Sequence, residues 1–124
     1  MKYICLVYPD EEIFASMSEA EQGRLVNEAL DSDEALRRSG NYVDANALEL
    51  PESAVSVRVR DGKLSATDGP FAETKEHLSG YILIEARDLN EAIRLAGTIP
   101  MARLGTIEVR PVRDLERYEE GFAA

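Results

Sequence analysis

The sequence holds one cysteine, one histidine and no tryptophan, and aromatic residues make up only 6% of its 124 positions. A lone cysteine excludes a disulfide within the chain, so a hydrophobic core has to hold the fold without covalent staples. One histidine with one cysteine cannot supply a zinc set, and the carboxylates lack EF-hand spacing. No metal or cofactor is therefore expected, and no glycine-rich phosphate loop follows a strand. Basic residues are scarce: 14 Lys and Arg face 24 Asp and Glu, giving a net charge of −10. They form no stripe, which argues against nucleic acid as a partner, because phosphate binding draws on clustered cations. No apolar run approaches the ~20 residues that span a bilayer, so no membrane partner is expected. The run after Met1-Lys2 is also too short for a signal-peptide core and has no small-residue cleavage site behind it, so the expected address is cytoplasmic.

What remains is ordinary globular composition, 44% hydrophobic and 31% charged, enough for one domain over residues 1–124 with 112–124 as an acidic tail. The acid is concentrated early, with 9 acidic and 4 basic residues among the first 40. On an exposed helix face such an excess serves solubility better than it serves a site.

The run Lys2 to Tyr8 is apolar on both alternations, which predicts a strand covered on both faces and stopped by Pro9-Asp10. Cys5, inside Ile4-Cys5-Leu6-Val7, reads as a small buried hydrophobe rather than a nucleophile. Ser18 with Glu21 has capping-box form and Gly40 supplies a left-handed stop, so one long helix is predicted between them. Its core face carries Leu25, Val26, Ala29, Leu30 and Leu36. Asn41 to Leu48 is weakly patterned. Val55 to Arg60 alternates strictly and predicts a half-exposed strand, Asp61-Gly62 a hairpin turn, and Lys63 to Thr67 a short return strand. Gly80 to Glu85 is again apolar on both alternations. Asp88 with Glu91 caps a second helix bearing Leu89, Ala92, Ile93, Ala96 and Ile99 before Pro100, and Thr106 to Arg110 alternates.

Two strands buried on both sides and two half-exposed strands match a ferredoxin-like β-α-β-β-α-β antiparallel sheet, an α+β fold with Lys2–Tyr8 and Gly80–Glu85 central and Val55–Arg60 and Thr106–Arg110 at the edges. Two helices cover one face. On the other, Tyr3, Cys5 and Val7 or their alternates, with Tyr81 and Leu83, form an apolar surface that water does not tolerate. A second copy of the chain is expected to cover it, giving a homodimer.

The stretch from Val57 through Asp68-Gly69-Pro70-Phe71 to Glu76, continued by Leu78-Ser79-Gly80-Tyr81, resembles the signature of DGPF-domain proteins, a branch of the YCII-related family. Ile107-Glu108-Val109-Arg110-Pro111-Val112 resembles it too. The resemblance implies a ferredoxin-like domain dimerised through its sheets into a dimeric α/β barrel, with relatives often encoded beside extracytoplasmic-function sigma factors. Members suspected of catalysis look as though they pair a first-helix histidine with an aspartate just before the proline that ends the second helix. Here Glu28 to Asp33 contains no histidine, and Ile99 precedes Pro100, so both halves of that pair are missing. Fold does not carry function across such a superfamily.

Two readings of Asp68-Gly69-Pro70-Phe71 stay open. In one it is a turn whose Asp68 carboxylate accepts backbone N–H bonds while Gly69 takes an unusual angle and Phe71 plugs the core. In the other Asp68 is a general base or anchor at a cleft, with Glu73, Lys75 and His77 nearby as catalytic or ligand-binding partners. Any imidazole chemistry must use His77. Asp33 interrupts the apolar stripe of the first helix and Gln22 shares its face; a carboxylate there is costly unless it is paired or opens onto a wet cleft. The alternative is that the helix bends away and leaves Asp33 at the rim. Arg58, Arg60 and Arg110 are candidates for an anionic ligand, and Tyr81 for ligand contact. Two functions compete: a dimeric domain binding a small ligand or a regulatory partner, and a small cofactor-free enzyme using Asp68, His77 and Asp33 in acid–base chemistry beside the sheet.

Overall fold

In the computed structural model, which describes residues 1–71 and 76–120, the first apolar run forms strand β1 (Lys2–Pro9). The chain continues through a five-residue helix α1 (Glu11–Ala15), the long helix α2 (Glu19–Arg38) and strand β2 (Tyr42–Ala47). Strands β3 (Val55–Arg60) and β4 (Lys63–Asp68) follow, then β5 (Gly80–Glu85), helix α3 (Leu89–Ala96) and β6 (Gly105–Pro111). Four of the strands make one antiparallel sheet in the order β2-β5-β1-β6. This is the ferredoxin-like α+β arrangement, and the two strands apolar on both alternations are the central ones, because only a central strand needs both faces covered.

The second edge position corrects the sequence assignment. The weakly patterned Tyr42–Ala47 pairs with β5, whereas Val55–Arg60 pairs only with β4 in a separate two-stranded sheet. A register shift between Tyr42 and Asp44 explains why the pattern was weak: an irregularity of this kind breaks the period of two on which strand recognition rests. The alternation of Val55, Val57 and Val59 is real, but it describes one face of a projecting hairpin. Val57 is 60% and Leu64 71% exposed there. Asp61 (φ 52°) and Gly62 (φ 72°) form the predicted two-residue turn, with both residues left-handed.

Helix α2 starts where the capping box placed it, with Glu21 N–H donating to Ser18 Oγ at 3.1 Å and Ser18 N–H to Glu21 Oε1 at 3.4 Å. Just past its end Gly40 has φ 80°, the backbone angle that glycine adopts without strain. For α3, Asp88 accepts from Glu91 N–H at 2.9 Å. Both helices lie on the sheet face carrying Tyr3, Cys5, Val7, Ile82 and Ile84, and Leu36, Ala92, Leu95, Ala96 and Ile99 complete the core. Cys5 has no exposed surface, and burial raises its thiol pKa to about 11.

The opposite face carries the alternate residues Ile4, Leu6 and Tyr8 with Tyr81 and Leu83, set side by side by the pairs Ile4 with Leu83 and Leu6 with Tyr81. All five are half-buried, on the face opposite to the core that α2 and α3 cover. At one rim Tyr81 Oη donates to Asp44 Oδ2 at 2.8 Å and accepts from Asn46 Nδ2 at 2.9 Å. At the other rim, Arg110 lies beside Ile4 and Glu108 beside Leu6.

Candidate functional site: a cleft between helix and sheet

Five apolar residues were expected on the core face of α2, but only Leu25 and Leu36 are buried there, while Val26 is 58% and Leu30 61% exposed. Between these anchor points the helix stands off the sheet and leaves a cleft of about 420 Å³. Val26, Ala29, Leu30 and Asp33 wall it from the helix side, and Val7, Ala45, Ala47, Gly80 and Ile82 form the sheet side. Phe14, Ile99, Pro100 and Met101 also line it. The volume and the mostly apolar walls fall within the range found for small-molecule clefts.

Gly80 belongs to this floor for a steric reason. A Cβ built there would lie 2.8 Å from Asn46 O and 3.2 Å from Ala47 Cα, so a side chain would force β2 away from β5. Gln22 ties the start of α2 to α1, its Nε2 donating to Phe14 O at 3.2 Å. Phe14 is thereby held against the cleft.

Asp33 is the one charged side chain among the lining residues. Its carboxylate makes no hydrogen bond or ion pair with any described residue. Burial raises its pKa, and the positive charge of Arg37 one turn along opposes that shift. Arg37 itself is committed elsewhere: its Nη1 lies 3.3 Å from Glu34 Oε2, and its guanidinium stacks 4.2 Å from the centre of the Tyr42 ring. Asp33 thus lines the cleft from the helix side, where α2 stands off the sheet.

Of the other predicted site residues that are described, Tyr81 also lines this cleft, and His77, Asp68 and Arg58 lie elsewhere. His77 Nδ1 is 2.6 Å from Glu11 Oε1, and the residue lines a separate hollow with Leu48, Leu50, Pro70 and Leu78. Asp68 ends β4, is exposed and lines neither cavity. Gly69 has the unusual backbone angle expected of it, φ 100°, and is clipped to the hairpin base by its N–H to Ala54 O at 2.7 Å and by Ser56 Oγ to its own carbonyl at 2.8 Å. Phe71 does not plug the core. It is 76% exposed, with the Arg58 guanidinium 5.1 Å from its ring centre. Arg58 is on the polar face of the hairpin. Tyr81 belongs to the lining of the cleft, although its phenol bonds Asp44 and Asn46. Glu73 and Lys75 lie outside the described residues. The structure therefore brings neither His77 nor Asp68 to Asp33.

Sequence reasoning missed Phe14 and Met101 as cleft walls, since neither sits in a periodic pattern and both reach the cleft through tertiary packing. A signal was available for Val26 and Leu30: the apolar stripe of α2 is wider than two buried leucines need.

A ferredoxin-like sheet with a cleft under its long helix and one carboxylate in that cleft's described lining defines a small α+β domain, without a cluster of metal ligands among the described residues. The YCII-related domain family model matches residues 1–116, and the chain belongs to that family. An uncharacterized protein of Rhizobium meliloti (strain 1021) is 32% identical over 114 residues, which span 90% of this chain and 92% of that protein. Among the described residues, no helix is long and apolar enough to cross a membrane.

Proposed function

We propose that this chain is a cytoplasmic homodimeric member of the DGPF branch whose cleft between α2 and the sheet binds a small, largely apolar molecule. The observation that carries the reading is the cleft itself, about 420 Å³ with mostly apolar walls and one carboxylate that no described residue pairs. Val26 and Leu30 line it and yet remain mostly exposed, so the apolar stripe of α2 is left without a partner there. The acid–base alternative draws less support, because Asp33, His77 and Asp68 occupy three separate surroundings.

Two features support the dimer. Ile4, Leu6, Tyr8, Tyr81 and Leu83 form an uncovered apolar surface, which a second sheet buries most economically. The rims are also complementary in charge, Asp44 on the β2 edge and Arg110 on the β6 edge. A two-fold axis running along the strands sets the β2 edge of one copy against the β6 edge of the other and so brings these opposite charges together. A fully buried lone thiol fits a reducing compartment.

The test is a thermal-shift screen of small metabolites. A ligand at a hundred times its Kd stabilises by about 2.7 kcal/mol, and Ala29→Phe, which fills the cleft from the helix side, abolishes the shift. Persistence of the shift in that variant places the ligand elsewhere and refutes the site. For the dimer, sedimentation velocity is expected to show a dimer for the wild type and a monomer for Leu6→Glu. A wild-type monomer at micromolar concentration refutes it and leaves the face to a regulatory protein.

A further inference from the structure

Resting on that reading of the cleft, we propose that it selects ligands carrying one ammonium group on an apolar body, with Asp33 as the anchor for the cation. Three observations converge on this class. Among the described residues Asp33 is the only charged side chain lining the cleft, and no described residue satisfies its carboxylate. An ionised carboxylate at the edge of an apolar space is unfavourable until something donates to it; an ammonium supplies both the opposite charge and N–H donors. The nearest cation does not take that role, since Arg37 is engaged with Glu34 at 3.3 Å and stacks on Tyr42 at 4.2 Å.

The third observation is the surrounding charge. The chain carries a net charge of −10, so its long-range field draws cations in and repels carboxylates and phosphates, while Glu28 and Asp31 of α2 line a separate hollow. Beyond Asp33 the floor of Val7, Ala45, Ala47 and Ile82 is apolar, and the uncharged Gln22, Asn46, Ser79 and Tyr81 complete the polar part of the lining. The ligand chemistry that matches both ends is an amine on a hydrocarbon or aromatic body. Purely apolar molecules leave Asp33 unsatisfied, and acids add repulsion to that cost.

The experiment uses three probes of one shape, hexylammonium, 1-hexanol and hexanoate, titrated into the full chain near neutral pH and followed by amide chemical shifts. Salt of about 0.15 M screens attraction beyond about 8 Å, which removes most of the non-specific effect of net charge. Hexylammonium is expected to bind at least about tenfold more tightly than the other two, the size of a charge-assisted hydrogen bond. Asp33→Asn removes that preference while leaving hexanol binding unchanged, and Glu119→Gln, which neutralises an exposed carboxylate in the tail, preserves it. Equal binding of hexanol and hexylammonium, or a preference that survives Asp33→Asn, overturns the anchor and leaves the apolar cleft standing. Absence of any shift at the cleft residues with all three probes overturns both.

Discussion

Cys5 offers the most quantitative check on the core, because its thiol can react only where the sheet and helices have come apart. It is fully buried, and with its pKa raised to about 11 only about one native thiol in a thousand is thiolate near pH 8. Labelling with a disulfide reagent therefore runs through unfolding. For a domain of middling stability, about 8 kcal/mol, the open fraction is about one in a million, and labelling slows by about that factor relative to the denatured chain. Ile84, 1% exposed, packs in the same cluster. Its truncation to alanine costs about 3 kcal/mol and speeds labelling of Cys5 about 150-fold. The pH dependence has a definite sign. The native state holds the thiol neutral, so its contribution is complete below an ordinary thiol pKa near 9 and is lost as pH rises from about 9 to about 11. The stability advantage over Cys5→Ala shrinks by about 3 kcal/mol across that window. Native labelling at the rate of a free thiol, or no effect of Ile84→Ala on it, would refute the packing described.

Two further outcomes test other parts of the molecule. Because burial raises the Asp33 pKa, its carboxylate costs stability above that pKa; Asp33→Asn should raise the Tm near pH 7, and the gain should vanish as pH falls below the ordinary aspartate range, checked by melting curves across pH. A Tm lowered by the substitution at neutral pH would mean that Asp33 has a partner that stabilises its charge. At the junction of β6 with β1, a Cβ on Gly105 would lie 2.8 Å from Pro9 Cα and 2.9 Å from Asp10 N. Gly105→Ala should therefore cost about 1–3 kcal/mol, with a urea midpoint unchanged from wild type as the contrary result.

The edge strand and the site show where local pattern stops being informative. Tyr42–Ala47 was not legible because its bulge removes the period of two, and its membership of the sheet is decided by β5, some forty residues later. The hairpin was legible in itself, turn included, yet nothing in Val55–Arg60 says whether its partner is a central strand or only β4. Asp33 stood out because a charged residue breaks an apolar helical stripe. His77 and Asp68, close in sequence, are not close to Asp33, because the hairpin base and the segment before β5 carry them to other surfaces.

What the sequence determined alone is what depends on near neighbours and on composition: the caps of α2 and α3, the left-handed turn at Asp61-Gly62, the central place of the two strands apolar on both alternations, and the burial of Cys5. The tertiary structure alone decided which half-exposed strand closes the sheet, how far α2 stands off it, and which side chains share the resulting cleft. The physical reason is that hydrogen-bonded caps and turns are satisfied within a few residues, whereas a cleft is the space left over after distant segments have buried what they can.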